Sequence, residues 1–245
     1  MSSSPYDAVV LISSRSSNRF GSGFIVAHDD QGSYILTCAH VITMVGGASQ
    51  AIIDNQFDRQ AMLTACGLSM GIDLAVLYVQ GLTNRPALQL TVDAEACREV
   101  AISGFKLHTQ QSQILRTIRA LLGDQVYLQP RGATVRTPAW DLLITEDDLL
   151  ADGYSGSPVV DCHSGLVLAI TSHLEQEGRR GQAISAQAVR SVWPSLPLHM
   201  VVHRDVDTLH TDDGAHQTQS RWLATWLEVW GARSPPHLLW TVVTV

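Results

Sequence analysis

Residues 152–160 read DGYSGSPVV, a short loop with glycines at positions 153 and 156 around Ser155, followed by a β-branched strand. Glycine permits the tight turn that presents one side chain and lets the N–H of Gly153 lie beside that of Ser155. Two such donors beside a hydroxyl form an oxyanion hole next to a nucleophile. We therefore predict Ser155 as a nucleophile. An ordinary turn can have the same composition, so the prediction depends on partners elsewhere in the chain.

Two further motifs supply those partners. Residues 34–40 read YILTCAH, so His40 directly follows an apolar strand, whose end holds an imidazole in place. Residues 71–77 read GIDLAVL, and Asp73 stands at the mouth of a buried strand, where a carboxylate is costly without a partner. We predict that His40 takes the proton of Ser155 and that Asp73 orients His40.

The rest of the chain reads mostly as short strands between turn residues. Residues 23–27 and 34–38 flank the turn HDDQGS and predict a hairpin. A connector begins at residues 81–86, and residues 186–193 form a helix that Pro194 ends. Further strands are predicted at residues 8–13, 51–53, 74–79, 99–105, 114–121, 126–129, 142–145, 157–161, 166–172 and 182–185. This regular spacing indicates an all-β sandwich or barrel.

Composition and charge exclude several classes of function. The 245 residues carry a net charge of -7, so the chain has no electrostatic reason to bind nucleic acid or an anionic membrane. No signal peptide and no apolar run of about 20 residues is recognisable. The four cysteines are scattered, which favours a reduced, cytoplasmic protein and gives no metal or cofactor motif. We expect Cys38 to be a small buried core residue.

Four motifs in order resemble the trypsin-like (chymotrypsin-fold) serine peptidases: GSGFIV at 21–26, LTCAH at 36–40, DLAVL at 73–77 and GYSGSP at 153–158. The compact spacing, and GQAIS at 181–185 before a helix, resemble the bacterial branch that includes HtrA-type proteases. The resemblance covers residues 6–195. It implies an all-β fold of two packed six-stranded β-barrels, about residues 1–82 and 96–198, with a C-terminal helix and a short mixed extension.

The resemblance also implies an activity and a substrate. The chain would be a serine endopeptidase that hydrolyses peptide bonds through an acyl-enzyme, with His40 and Asp73 from the first barrel and Ser155 from the second. The N–H groups of Gly153 and Ser155 would form the oxyanion hole. A polypeptide substrate would pair as an added strand with residues 170–173, and the hydroxyl of Ser172 would bind the carboxylate of Asp73.

Specificity and activation depart from those of the digestive trypsins. Leu149 stands where an acid near the base of the pocket would select Lys or Arg, and His173 and Leu174 are expected to line the pocket wall. A small or apolar residue at the cut site is the expected preference, with an acidic residue, favoured by His173, as the alternative. Tyr154 replaces the aspartate that pairs with a freshly cleaved N-terminus, so a trypsin-style zymogen is not expected.

Residues 199–245 differ in composition from the strand-rich part of the chain that precedes them. Residues 199–219 are polar and His-rich and read as a linker, residues 221–230 predict an amphipathic Trp-rich helix, and residues 238–245 are strand-like. This extension either packs on the protease or begins a further domain, so a regulatory partner or fused domain is expected through it. By resemblance, the chain would be the regulated protease module of a bacterial stress or antiviral defence system. Two alternatives stay open: a silent protease fold that docks a peptide or partner, and an ester hydrolase with the same residues.

Overall fold

The protein consists mainly of β-strands in two sheets. The computed structural model describes residues 5–57, 59–109, 112–129, 135–145 and 148–203. Within these ranges, strands dominate and the helices are short. The two sheets curve into barrel-like halves, so the predicted all-β, chymotrypsin-like double-barrel fold is confirmed.

Six antiparallel strands form the first sheet: β1 (Val9–Ser14), β2 (Phe20–His28), β3 (Gly32–Thr37), β4 (Ala51–Ile53), β5 (Ala61–Cys66) and β6 (Ala75–Gln80). Their order is β4-β1-β2-β3-β6-β5. The predicted hairpin is β2–β3. It turns at Asp29, whose carboxylate accepts hydrogen bonds from the N–H groups of Gln31 at 2.9 Å and Gly32 at 2.8 Å. Local polar contacts therefore fix this turn.

The second sheet contains eight strands: β7 (Leu90–Thr91), β8 (Glu99–Thr109), β9 (Ser112–Leu128), β10 (Thr137–Ile144), β11 (Pro158–Asp161), β12 (Val167–Leu174), β13 (Arg180–Ser185) and β14 (Val201–Val202). Strands β8 to β13 pair antiparallel in the order β11-β8-β9-β10-β13-β12, and a further pairing of β11 with β12 closes them into a six-stranded barrel. The short strands β7 and β14 add to this sheet in parallel beside β12.

The C-terminal helix of the second barrel packs back on the first barrel. A 3₁₀ turn over Ala186–Ala188 leads into the helix α2 (Val189–Val192), which ends before Pro194 as the sequence predicts. Trp193 is 5% exposed, and its ring lies 5.0 Å from that of Tyr34 between centroids. One continuous core therefore joins the helix to the first barrel.

Several elements differ from those expected. The strands predicted at 114–121 and 126–129 are one long strand, β9. The strand continues through Gly123, and the irregularity is a shift in its pairing register with β10, between Trp140 and Leu142. The strands β5, β7 and β14 and the helix α1 (Ala39–Met44) were not predicted, and β14 lies in the stretch expected to be a linker. They are too short, or too mixed in burial, to produce a readable periodicity.

The connector between the barrels is tied to the N-terminal strand. Arg85 donates hydrogen bonds to the carbonyl oxygens of Asp7 at 2.6 Å and Val9 at 2.5 Å, and it forms an ion pair with Asp54. The second sheet continues past residue 198, since β14 pairs with β7. The predicted Trp-rich helix and terminal strand lie outside the described residues. Within the described part, no helix has the length and apolar character to cross a membrane.

Candidate active site

His40 lies in the first turn of α1, directly after β3 ends at Thr37. Its backbone N–H donates to Oδ1 of Asp73 at 2.8 Å, and its Nδ1 donates to Oδ2 of the same carboxylate at 2.6 Å. An ionised carboxylate only accepts, so this contact puts the ring proton on Nδ1. The lone pair is therefore on Nε2, the nitrogen that does not face Asp73.

Asp73 precedes β6 and is held from three directions. In addition to the two bonds from His40, Oγ of Ser172 donates to Oδ2 of Asp73 at 2.7 Å. Burial raises the pKa of Asp73, but the hydrogen bonds from His40 and Ser172 outweigh it, so the pKa lies below its ordinary value. The carboxylate is therefore ionised at neutral pH and holds the His40 ring in one tautomer.

Ser155 lies in the loop between β10 and β11, across the cleft from His40. Its Oγ donates to the carbonyl oxygen of Ser172 at 3.2 Å. No hydrogen bond joins Ser155 to His40 among the contacts of the described residues. Both nevertheless line one cleft of about 680 Å³ between the barrels, together with Gly153 and the apolar side chains of Phe20 and Met44. The structure thus brings His40 and Asp73 into direct contact and places Ser155 beside them.

The loop around Ser155 presents two unused backbone donors. Gly153 has φ +102°, and a Cβ there would clash with the ring of Phe20 and the carbonyl of Phe105, so only glycine fits. The N–H of Ser157 donates to the carbonyl of Tyr154 at 2.9 Å, which fixes the peptide unit that carries the N–H of Ser155. Within the described part of the chain, the N–H groups of Gly153 and Ser155 have no acceptor. Both residues line the cleft, so their N–H groups are available to a developing oxyanion.

Beyond Thr171, β12 has one free edge towards Ser155. β11 pairs with β12 only up to Ile170, whereas β13 continues along the other side to Leu174. In the described residues, no strand covers positions 172–174 on the side where the carbonyl of Ser172 meets Ser155. An extended peptide fits such an edge as an added strand.

The residues predicted to set specificity lie along this edge and beside it. Nδ1 of His173 is 2.8 Å from Oγ of Ser172, and its ring centroid is 6.2 Å from that of His40. Leu149 and Leu174 are 39% and 41% exposed. Neither of these leucines, nor His173, lines the 680 Å³ cleft. The ring of His173 nevertheless lies close to the cleft, because His40 is one of the residues that line it.

Sequence reasoning missed Leu150, the neighbour of Leu149. Leu150 is 2% exposed, and a Cβ at Gly181 would lie 2.6 Å from its Cδ2 and 2.9 Å from the carbonyl oxygen of His173. This side chain therefore fills the space beneath the edge at residues 172–174. Its position next to Leu149 was the only signal in the sequence, and alternation could not tell which of the two leucines turns inward.

Cys38, His40 and Asp73 have potential ligand atoms within 4.8 Å of one another. Burial raises the pKa of the Cys38 thiol, and the nearby carboxylate of Asp73 raises it further. The protonated thiol donates to the carbonyl of Thr171 at 3.2 Å. Since a thiol must lose its proton to bind a metal, and His40 and Asp73 already bind each other, this cluster is poorly suited to a cation.

Comparison with known proteins identifies related folds. The active form of the Rv3671c protease from M. tuberculosis has a TM-score of 0.59 and 19% identity, with 83% of this chain and 85% of that chain covered. The serine endoprotease from Yersinia pestis has a TM-score of 0.55 and 22% identity, covering 78% of this chain and 63% of that one. The HtrA-type protease AlgW, solved with a tripeptide, has a TM-score of 0.56 and 23% identity, covering 79% and 61%.

At these identities the solved structures establish the fold alone. No curated protein matches the chain in sequence. Residues 21–170 do match the family described as the trypsin-like peptidase domain. This match spans more than half of the chain and includes His40, Asp73 and Ser155, and so the protein belongs to the family of trypsin-like peptidase domains.

Proposed function

We propose that this protein is a serine endopeptidase in which Ser155, His40 and Asp73 form the catalytic triad. The observation that carries the proposal is the hydrogen-bonded unit of His40, Asp73 and Ser172 at a cleft lined by His40 and Ser155. Gly153 lines the same cleft, and the N–H groups of Gly153 and Ser155 have no acceptor among the described residues. Nucleophile, base, orienting carboxylate and oxyanion donors are the parts that acyl transfer at an amide requires.

In the first half of the reaction, Oγ of Ser155 attacks the scissile carbonyl carbon while Nε2 of His40 takes its proton. Asp73 holds the ring and stabilises the imidazolium. The carbonyl oxygen becomes an oxyanion that accepts hydrogen bonds from the N–H groups of Gly153 and Ser155. His40 then gives its proton to the leaving amine, which leaves an acyl group on Ser155. Water then attacks the acyl carbonyl carbon while His40 takes one of its protons. His40 gives that proton to Oγ of Ser155 as the acyl–oxygen bond breaks, so the acyl group leaves as a carboxylic acid and the hydroxyl is restored.

The attack requires a rotation of the Ser155 side chain, because its Oγ now donates to the carbonyl of Ser172. In the proposed complex, the peptide lies along residues 172–174, and the carbonyl of Ser172 binds a substrate N–H instead. Contacts of a catalytic group are often loose in a free enzyme and tighten in the complex. Substrate binding would therefore free Ser155 to turn towards His40.

For specificity, we propose cleavage after small or apolar residues. Leu149 and Leu174 expose apolar side chains beside the substrate edge, and the buried Leu150 packs beneath it. An acid that would neutralise a Lys or Arg side chain is not among these residues. His173, which stands next to Ser172, supports cleavage at acidic residues as the alternative.

The family resemblance and the scattered cysteines are the basis for proposing where the protease acts and how it is regulated. We propose a cytoplasmic, bacterial protease module that needs no cofactor and is regulated by a partner or fused domain through residues 199–245, in a stress or antiviral defence system. A second candidate function is a silent protease fold that binds peptides without cutting them. The hydrogen bond from Ser155 to the carbonyl of Ser172, rather than to His40, favours this alternative.

A fluorophosphonate probe on the purified chain tests the proposal, because the reagent phosphonylates an activated serine. We expect labelling that is absent in Ser155→Ala, together with cleavage of an unfolded protein substrate. If the probe does not label Ser155, while a folded Ser155→Ala control still binds peptides as the unsubstituted chain does, the silent binding fold is the better description.

A further inference from the structure

Ser22 belongs to the first barrel, yet its polar groups reach the nucleophile loop of the second barrel. It lies in β2 opposite Leu11 and is fully buried. Its backbone N–H donates to the carbonyl oxygen of Ser155 at 2.9 Å. Its Oγ donates to the carbonyl oxygen of Gly153 at 2.7 Å. One residue therefore binds the carbonyls of Gly153 and Ser155, the two cleft residues proposed to supply the oxyanion donors.

The hydroxyl of Ser22 acts both as a donor and as an acceptor. Its one proton goes to the carbonyl oxygen of Gly153, and one of its two lone pairs accepts the backbone N–H of Phe105 at 2.8 Å. Because Phe105 is in β8 and Ser22 in β2, this hydroxyl joins the two barrels as well as the loop. The carbonyl of Ser22 is held in turn by Oγ of Thr37 at 2.7 Å.

The loop around Ser155 packs closely against Ser22. Gly156 has φ +87°, and a Cβ there would clash with the carbonyl oxygen of Ser22. On the opposite side, the fully buried ring of Tyr154 anchors the same loop in the second barrel, where a Cβ at Gly104 would lie 2.7 Å from its Cδ1. Ser22 and Tyr154 thus hold the loop from two sides.

The geometry points to Ser22 as a positioning residue that aims the N–H groups of Gly153 and Ser155 into the cleft, an inference that rests on the proposed peptidase function. Fixing a carbonyl fixes the peptide unit that follows it. The Ser22 bonds therefore restrain the units at 153–154 and 155–156. These two units bracket the unit that carries the N–H of Ser155, and the first of them adjoins the unit that carries the N–H of Gly153. Ser22 touches no substrate atom and acts through the loop alone.

The substitution Ser22→Ala removes the hydroxyl and leaves the backbone bond to Ser155 in place. The carbonyl of Gly153 then loses its partner, and the loop gains freedom at the oxyanion donor. Loss of one whole oxyanion donor costs about 10²–10³ in kcat. We expect misalignment to cost roughly 10-fold to 100-fold in kcat, with KM changed by no more than about twofold, since the substrate edge at residues 172–174 is untouched.

The matched control is Ser33→Ala. Ser33 is also a fully buried serine of the first sheet, and its hydroxyl also donates to a carbonyl, that of Leu82, in the connector rather than at the cleft. The variant Ser33→Ala should lower the thermal unfolding midpoint about as much as Ser22→Ala does, but it should leave kcat unchanged. A purely structural role for Ser22 would give the two variants the same kinetic constants at equal folded fraction.

The test uses the full chain in both backgrounds, with Ser155 present and with Ser155→Ala. Steady-state kinetics separates kcat from KM, and hydrogen exchange reports the amides of residues 151–157 without needing activity. Faster exchange in that segment and a lower kcat in Ser22→Ala alone support the inference. Unchanged exchange and unchanged kcat in an active enzyme overturn it and leave the peptidase proposal intact. If exchange is faster in Ser22→Ala but the fluorophosphonate probe never labels Ser155 in the unsubstituted chain, the role of Ser22 in catalysis is overturned together with the proposed function.

Discussion

Oγ of Ser172, on strand β12 of the second barrel, donates a hydrogen bond of 2.7 Å to Oδ2 of Asp73, which precedes β6 in the first barrel. The same carboxylate oxygen accepts Nδ1 of His40 at 2.6 Å. This oxygen atom therefore accepts a hydrogen bond from each barrel, and the orientation of His40 depends on both. This relationship gives the first of four predictions.

Ser172→Ala should lower kcat/KM about 10-fold at neutral pH. A hydrogen bond to a charged group contributes about 1.5–3 kcal/mol, and without it the partly buried carboxylate of Asp73 is held by His40 alone. The control is Ser164→Ala, because Ser164 makes the same kind of bond to Asp161, at 2.8 Å, in the turn between β11 and β12. We expect the control to keep its kcat/KM. Equal activity of both variants with the unsubstituted chain would show that the bond from Ser172 is not used in catalysis.

Asp73 should make the fold sensitive to acid. Its pKa is lower in the folded protein than the ordinary value of 3.8, so it stabilises the fold above that pH, and the contribution is lost as the pH falls through the folded pKa. Asp73→Asn does not titrate. The difference in unfolding midpoint between the unsubstituted chain and this variant should therefore shrink as the pH falls below about 4. Thermal unfolding between about pH 7 and about pH 2 measures it, and a constant difference would contradict the prediction.

Tyr154 should stabilise the protein through its ring rather than its hydroxyl. The ring is fully buried in the second barrel, whereas the one hydrogen bond of the hydroxyl to a described residue goes to the carbonyl of Arg116, at a long 3.5 Å. Burial raises the pKa of Tyr154, so the hydroxyl stays protonated. Tyr154→Ala should cost about 3–5 kcal/mol in the free energy of unfolding, and Tyr154→Phe less than about 1 kcal/mol. Urea unfolding compares them; similar losses in both variants would assign the stabilisation to the hydroxyl.

Cleavage of a peptide library should show a preference for small or apolar residues at the cut site. Cleavage after Lys or Arg should be at least about 10-fold less efficient, and Leu149→Asp should reduce that difference. His173→Ala separates the alternative, because an acidic preference that disappears in this variant would assign the specificity to the histidine. Cleavage only after Lys or Arg in the unsubstituted chain would refute the role given to Leu149.

Local sequence was sufficient for much of the fold. The β2–β3 hairpin could be predicted because Asp29 and Gly32 determine the turn through contacts two and three residues apart. His40, Asp73 and Ser155 could be named because each stands in its own short motif beside a strand. The helix α1 could not, since six residues are too few to show a helical period. Leu150 was missed because the direction of a side chain in a loop depends on what packs against it, here Gly181.

The sequence by itself determined most of the strands, the β2–β3 turn and the identity of the candidate nucleophile, base and carboxylate, because these depend on alternation and on residues close in the chain. Only the tertiary structure decided how they meet. The bonds from Ser22 to Gly153 and from Ser172 to Asp73 join residues 131 and 99 positions apart. They exist because the two barrels pack with β2 and β12 facing the loop around Ser155, an arrangement that depends on the whole core and that no local pattern encodes.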